Sequence, residues 1–159
     1  MKMKKVFLAT PMSGFQNAER YAAYREKLLE LITALSEHYE VYSEMQRAPT
    51  EEAFSGPETS VREDFHEIEV TDYILFLHPC RMQTSTLIEL GYACALKKPA
   101  VLVGEPENLP YMALGLRRPT YNASLVDSSE ISPETIDKIM AALGELDDKN
   151  ESTGRVENG

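Results

Sequence analysis

The apolar positions of this chain fall into short runs separated by longer amphipathic stretches. Val6-Phe7-Leu8-Ala9 is a brief apolar run closed by Thr10-Pro11-Met12-Ser13-Gly14, which predicts a buried strand and then a turn. Residues 17–37 follow a helical period, with Tyr21, Leu28, Ile32 and Leu35 on one stripe and Arg25, Lys27 and Glu30 outside it. Tyr39-Glu40-Val41-Tyr42 alternates as a second strand would. Residues 44–58 carry Pro49, Gly56 and Pro57 and little period, so a long loop is expected, a kind that is often functional in compact domains. Ser60-Val61-Arg62-Glu63 has the form of a capping box and predicts a helix to about Val70. Tyr73-Ile74-Leu75-Phe76-Leu77 is apolar throughout, as in a strand buried on both faces of a parallel sheet. A helix over Thr86 to Leu96 follows, then Pro99-Ala100-Val101-Leu102-Val103 as a fourth strand. Residues 104–116 predict a loop with one short helix, and Thr120-Tyr121-Asn122 a fifth strand. The last helix starts near Ser132-Pro133-Glu134, with a cap residue before a proline at the first helical position, and runs to about Leu146. Residues 147–159 are polar and aperiodic and are expected to be a disordered tail behind a single domain over 1–146.

Strands alternating with helices through short turns imply an α/β fold. The expectation is a flavodoxin/Rossmann-like doubly wound parallel sheet of four to five strands with helices on both faces. Ligands in such sheets bind outside the carboxyl ends of the strands, where the strand order reverses. That rule selects residues 10–15, 43–49, 78–86 and 104–108 for inspection.

Composition narrows the function classes. At 159 residues the chain can bury about two-thirds of its unfolded surface as one domain. A net charge of −10 argues against binding a nucleic-acid polymer or an anionic membrane, though local basic groups and helix N-termini still allow a small anion. The apolar run after Met1-Lys2-Met3-Lys4-Lys5 stops at Pro11, too short for a signal segment or a membrane span. Cys80 and Cys94 lack framework spacing, and His38, His66 and His78 are not clustered, so no disulfide, metal or cofactor is expected and the setting is read as cytoplasmic. His66 and His78 read as hydrogen-bonded structural groups.

Glu89 is the position that chemistry must explain. It is set into Thr86-Leu87-Ile88-Glu89-Leu90-Gly91-Tyr92-Ala93-Cys94-Ala95-Leu96, and burying an unpaired carboxylate costs several kcal/mol. Two explanations stand side by side. Thr86-x-x-Glu89 is a capping box; alternatively, a carboxylate in a partly dry pocket at a helix start is equipped to act as a nucleophile. Asp64 can reach the same sheet edge and would complete a carboxylate pair of the sort glycosidic cleavage needs. An acidic residue near a helix start also has a simpler dipole explanation.

The order of these features resembles the nucleoside 2-deoxyribosyltransferase family and its 2′-deoxynucleoside 5′-phosphate N-hydrolase relatives. The likeness rests on Val6 to Gly14, on Asp64 with Asp72 eight residues later, on Thr86 to Ala93, and on Lys98-Pro99-Ala100-Val101, together covering about residues 4–110. It implies a retaining mechanism in which Glu89 attacks the anomeric carbon and Asp64 assists departure of the base. It also implies a nucleoside or nucleotide as the small-molecule partner. Phe7, Ser13, Gly14, Arg81, Ser85, Thr86 and Asn108 form the expected substrate-binding set, Asn108 reaching across a subunit interface. Asp72 is expected to be structural, at the far end of the sheet.

The chain also departs from that family. Its nucleotide hydrolases carry a tyrosine where Phe7 stands, and a serine and an arginine where Pro11 and Ser13 stand. These departures count against a simple deoxynucleotide monophosphate, with Arg81 as a substitute anion contact. Leu87, Ile88, Leu90, Ala93, Cys94 and Ala95 offer more apolar surface than one sheet can cover, which predicts a homodimer or higher homo-oligomer. Two further readings remain: a non-catalytic nucleotide- or metabolite-binding module using the same pocket, and an interaction domain in which Glu89 is only a cap.

Overall fold

The computed structural model describes residues 2–80 and 84–154, the last five as helix backbone. Its five strands are β1 (Lys4–Ala9), β2 (Tyr39–Tyr42), β3 (Tyr73–Leu77), β4 (Ala100–Val103) and β5 (Ala123–Val126). They form one sheet in the order β2-β1-β3-β4-β5, with every pairing parallel. The α-helices are α1 (Ala18–Leu35), α2 (Glu44–Arg47), α3 (Pro57–Val70), α4 (Thr86–Ala95), α5 (Tyr111–Leu114) and α6 (Pro133–Gly154). This is the flavodoxin-like order, whose reversal point lies between β1 and β3.

Alternation along the strands sends side chains to two cores. Val6, Leu8, Tyr73, Leu75, Leu77, Val101 and Val103 pack with α1 and α6, where Leu28, Leu31, Ile32, Leu35, Ile139 and Leu143 are buried. Phe7, Ala9, Ile74, Phe76, Ala100 and Leu102 face Ile68 of α3, Leu90 and Ala93 of α4 and Ala113 of α5. The predicted α1 stripe is the buried one, and Asn17 caps this helix by accepting from the Arg20 amide at 2.9 Å. α3 and α4 therefore lie side by side on one face of the sheet. Their ends meet above the carboxyl edge of β1 and β3.

Four sequence expectations are corrected. The stretch 44–58 is not structureless: it holds α2 and a 3₁₀ turn, Glu51–Ala53. Helix α3 begins at Pro57 behind Gly56, so Ser60 lies inside it and its hydroxyl donates to the Ser55 carbonyl rather than forming a capping box. The fifth strand is Ala123–Val126; Tyr121 instead sends its hydroxyl to the Lys98 carbonyl (2.9 Å), and Asn122 accepts from Arg118. An edge strand containing Ser124 and half-buried Leu125 gives a weak apolar signal. Finally, α6 continues to Gly154, so the expected disorder from Asp147 does not hold over 147–154. Asp147 accepts from Lys4 (2.6 Å), Tyr39 (2.8 Å) and Tyr73 (2.5 Å), which fastens the helix to the amino ends of β1, β2 and β3.

Candidate active site

Asp64 is 8% exposed and lies well inside α3, because that helix starts earlier than its apparent capping box suggested. A first-turn dipole role therefore does not account for it. Glu89 is on α4, and its expected capping box is also absent. Ser85 precedes the helix in helical conformation and makes no side-chain cap, while the Thr86 hydroxyl pairs with that of Thr84. Glu89 is left as the fourth helical residue, and its carboxyl bonds to Asp64. The two acids come together because α3 enters β3 and α4 leaves it.

Burial raises both carboxyls above their ordinary range. For Glu89 desolvation is the main cause, reinforced by the charge of Asp64, by the hydrogen bond to Asp64 and by the charge of Glu44. Asp64 is raised less: burial and Glu44 push it up, while hydrogen bonds from Tyr42 and Glu89 and the Arg47 charge pull it back. Two nearby carboxyls that cannot both ionise cheaply share one proton near neutrality.

A polar cluster from the end of β2 surrounds Asp64. The Tyr42 hydroxyl lies 3.2 Å from Asp64 Oδ1 and 3.2 Å from Glu44 Oε2. Arg47 donates to the Tyr42 oxygen at 2.5 Å and to Glu44 at 2.8 Å, and stands 3.7 Å from Glu63. Below, the Tyr42 ring stacks on Phe7 at 5.3 Å between centroids. On the outer side, Phe65 and Tyr92 stack at 4.1 Å, and the Tyr92 hydroxyl donates to Glu69 at 2.6 Å. Each ring adjoins a site acid in sequence (Phe65 beside Asp64, Tyr92 one turn after Glu89), so the stack braces α3 against α4.

The other expected site residues are scattered along the same edge. Phe7 is a core residue, 2% exposed, under Tyr42. Ser13 and Gly14 lie exposed in the loop after β1, Gly14 with a φ of 87° that favours glycine. Ser85 is exposed and Thr86 buried at the start of α4. Asn108 is held within its own loop, its side-chain amide donating to Glu105 at 2.7 Å. Arg81 lies outside the described residues. Asp72 accepts from the Lys5 amide at 2.7 Å, the structural role expected of it.

His78, just after β3, is 1% exposed and stacked on Phe76, its imidazole hydrogen-bonded to the Asn108 backbone. Burial pushes its pKa down, against the opposing pull of the Asn108 backbone bond, and so favours the neutral imidazole. A Cβ on Gly104 would come within 2.7 Å of the His78 carbonyl, so the chain after β4 needs glycine to pass there. Among the described residues, two buried side-chain atoms have no partner, His78 Nδ1 and Ser43 Oγ, and both residues follow strands at this edge. Among the same residues, no group of three or more His, Cys, Asp or Glu side chains could hold a metal.

Tyr42, Glu44 and Arg47 were not singled out by sequence reasoning. The strand-edge rule selects the segment after β2, and Glu44 and Arg47 have the i, i+3 spacing of a helical ion pair. A single such pair, with no apolar period around it, does not mark four residues as helical.

No family profile matches the chain, and no curated protein matches it in sequence. Solved structures do match its fold. The Clostridium botulinum CMP N-glycosidase BcmB superposes with a TM-score of 0.66 at 24% identity, covering 87% of this chain and 98% of BcmB. The solution structure of BlsM gives a TM-score of 0.70 at 21% identity, covering 91% of this chain and 94% of BlsM. At these identities the likeness establishes a shared α/β architecture over nearly the whole of each chain.

Proposed function

We propose that this protein cleaves the N-glycosidic bond of a nucleoside or nucleotide by a retaining mechanism, with Glu89 as nucleophile and Asp64 as acid and base. The observation that carries this reading is the hydrogen-bonded Asp64–Glu89 pair at the carboxyl edge of β1 and β3. Retaining glycosidases hold their carboxyls about 5–5.5 Å apart, inverting ones about 6.5–9.5 Å to admit water. A pair within hydrogen-bond reach, sharing one proton, leaves no room for a water between the two acids, which supports the retaining reading.

The steps balance on that single proton. Glu89, ionised, forms an ester bond to the anomeric carbon as the carbon–nitrogen bond breaks. The departing base takes the bonding electrons and a proton from Asp64. Water, or a second base, then attacks the same carbon, gives its proton to Asp64, and releases Glu89. The fold shared with a CMP N-glycosidase supports this chemistry. Ser85, Thr86 and the Ser13–Gly14 turn are the groups we assign to the substrate, with Asn108 contributed from a partner subunit.

The outer face of α4 supports a homo-oligomer, since Ile88 is 60% exposed and Gly91 and Ala95 lie on the same side. Among the described residues no helix is long and apolar enough to cross a membrane, and both cysteines are free, which supports a cytoplasmic setting. The test is incubation with a panel of nucleosides, deoxynucleotides and dinucleotides, followed by chromatography for free base. Release by wild type and none by Glu89→Ala is expected, and equal release from both defeats the proposal. Thermal stabilisation by a ligand without product would identify a binding module instead.

A further inference from the structure

Resting on the reading of Asp64 and Glu89 as the working pair, we infer that Tyr42 is a positioning residue: Arg47 directs its one phenolic proton onto Asp64, and this fixes which acid holds the shared proton. The case begins with donor counting. Tyr42 has two carboxylates at equal distance, Asp64 Oδ1 and Glu44 Oε2, each 3.2 Å away, and one proton to give. Arg47 Nη2 donates to Glu44 Oε2 at 2.8 Å and to the phenolic oxygen at 2.5 Å. Glu44 is thereby satisfied, and the phenol already accepts from a cation. The O–H is left for Asp64.

The ring is fixed while the hydroxyl proton turns. Phe7 stacks on the Tyr42 ring at an interplanar angle of 17°, and the Arg47 guanidinium lies 4.9 Å from its centroid. Rotation about the C–O bond is the freedom that remains, and it swaps the donor between Asp64 and Glu44. With the proton on the Asp64 side, Asp64 is stabilised as the anion and the shared proton stays on Glu89. When the O–H turns to Glu44, Asp64 loses a donor and takes the proton from Glu89. No proton is gained or lost in this exchange. It leaves Glu89 ionised for attack and Asp64 protonated for the leaving base, the arrangement required by the first step.

The charged and titratable groups facing Asp64 are Tyr42 from β2, Glu44 and Arg47 from α2, and Glu89 from α4; Glu63, on its own helix, pairs with Arg47. Glu44 is both the alternative acceptor for Tyr42 and a negative charge opposing ionisation of the pair. Arg47 offsets it. The raised titration of both acids is consistent with a single proton held between them.

The test uses Tyr42→Phe, which keeps the ring and its stacking and removes the O–H. Carbon-13 NMR of labelled Asp and Glu carboxyls follows the pair in the free protein, and the pH profile of kcat/KM follows it during turnover. The expected result is a rise of roughly one pH unit in the lower titration step of the pair, with the melting temperature little changed. Arg47→Lys keeps the charge but cannot hold Glu44 and Tyr42 in one fork. It should shift that step in the same direction, and the double variant should shift it no further than Tyr42→Phe alone. An unmoved lower step in Tyr42→Phe, or additive shifts, overturns the inference while leaving base release by wild type as evidence for the glycosidase. A shifted step in a protein that releases no base from any substrate upholds Tyr42's role and defeats the glycosidase.

Discussion

The two ends of the sheet each gather carboxylates and tyrosines, and they use them in opposite ways. At the amino edge, Asp147 receives one ammonium and two phenols, from Lys4, Tyr39 and Tyr73. Burial alone would raise its pKa, but those three donors outweigh it and hold the carboxyl below its usual range. At the carboxyl edge, Asp64 and Glu89 face each other with Glu44 nearby, and both are raised. One carboxylate is matched to donors and fastens a helix. The other pair is mismatched, with more carboxylates than donors, which is the arrangement a proton-transferring pair requires. The contrast separates a helix-fastening acid from the proposed catalytic pair more cleanly than burial does.

Substitution at the carboxyl edge should have the largest effect. Glu89→Gln should lower base release by roughly 10³-fold or more, since a neutral amide cannot form the ester. Asp64→Asn should cost roughly 10²–10⁴-fold with substrates whose base must be protonated to leave. Steady-state kinetics on folded variants, checked by circular dichroism, separate these losses from unfolding. Glu89→Gln retaining full activity would erase the functional half of the contrast.

Next in size is the amino edge. Asp147→Ala removes three hydrogen bonds and should destabilise the protein by roughly 1–3 kcal/mol, toward the lower end because the site is partly open to solvent. Urea denaturation measures this loss. The folded pKa of Asp147 is depressed, so its stabilisation is present above the ordinary carboxylate range and fades as pH falls through the folded value. The difference between wild type and variant should therefore shrink in acid.

Glu89→Gln should also change stability, with the opposite sign. A raised folded pKa means that stability is lost as pH climbs from the ordinary carboxylate range through the raised value. Removing the charge should raise the melting temperature at pH 8 by roughly 2–4 °C and leave it little changed near pH 4. Scanning calorimetry at the two pH values decides it; a melting temperature that falls at pH 8 contradicts the electrostatic account of the pair.

The smallest change is Tyr92→Phe, which keeps the stack on Phe65 and removes only the exposed bond to Glu69. Its urea midpoint should stay close to that of the wild type. A large loss of activity there would mean that the α3–α4 brace depends on that hydroxyl and not on the rings.

Much of the architecture was legible because it is local. The apolar runs at β1 and β3, the alternation at β2 and the period-3.6 stripe of α1 record which residues face a core, and that fixes element type within a few residues. Glu89 stood out for the same reason, as a charge in an apolar helix. Asp64 is legible as its partner carboxylate too, but a helix-start dipole role for Asp64 and a capping box for Glu89 offer local explanations that compete with pairing. The folded chain rejects both, starting α3 earlier and leaving Ser85 without a cap bond.

The sequence by itself determined an α/β chain of alternating strands and helices, and one carboxylate in need of a reason. Tertiary structure decided the rest. It set Asp64 against Glu89, brought Tyr42 to Asp64 across 22 residues and Lys4 to Asp147 across 143. Such contacts depend on strand order and helix ends, which follow from how the whole core packs and not from any short stretch of chain.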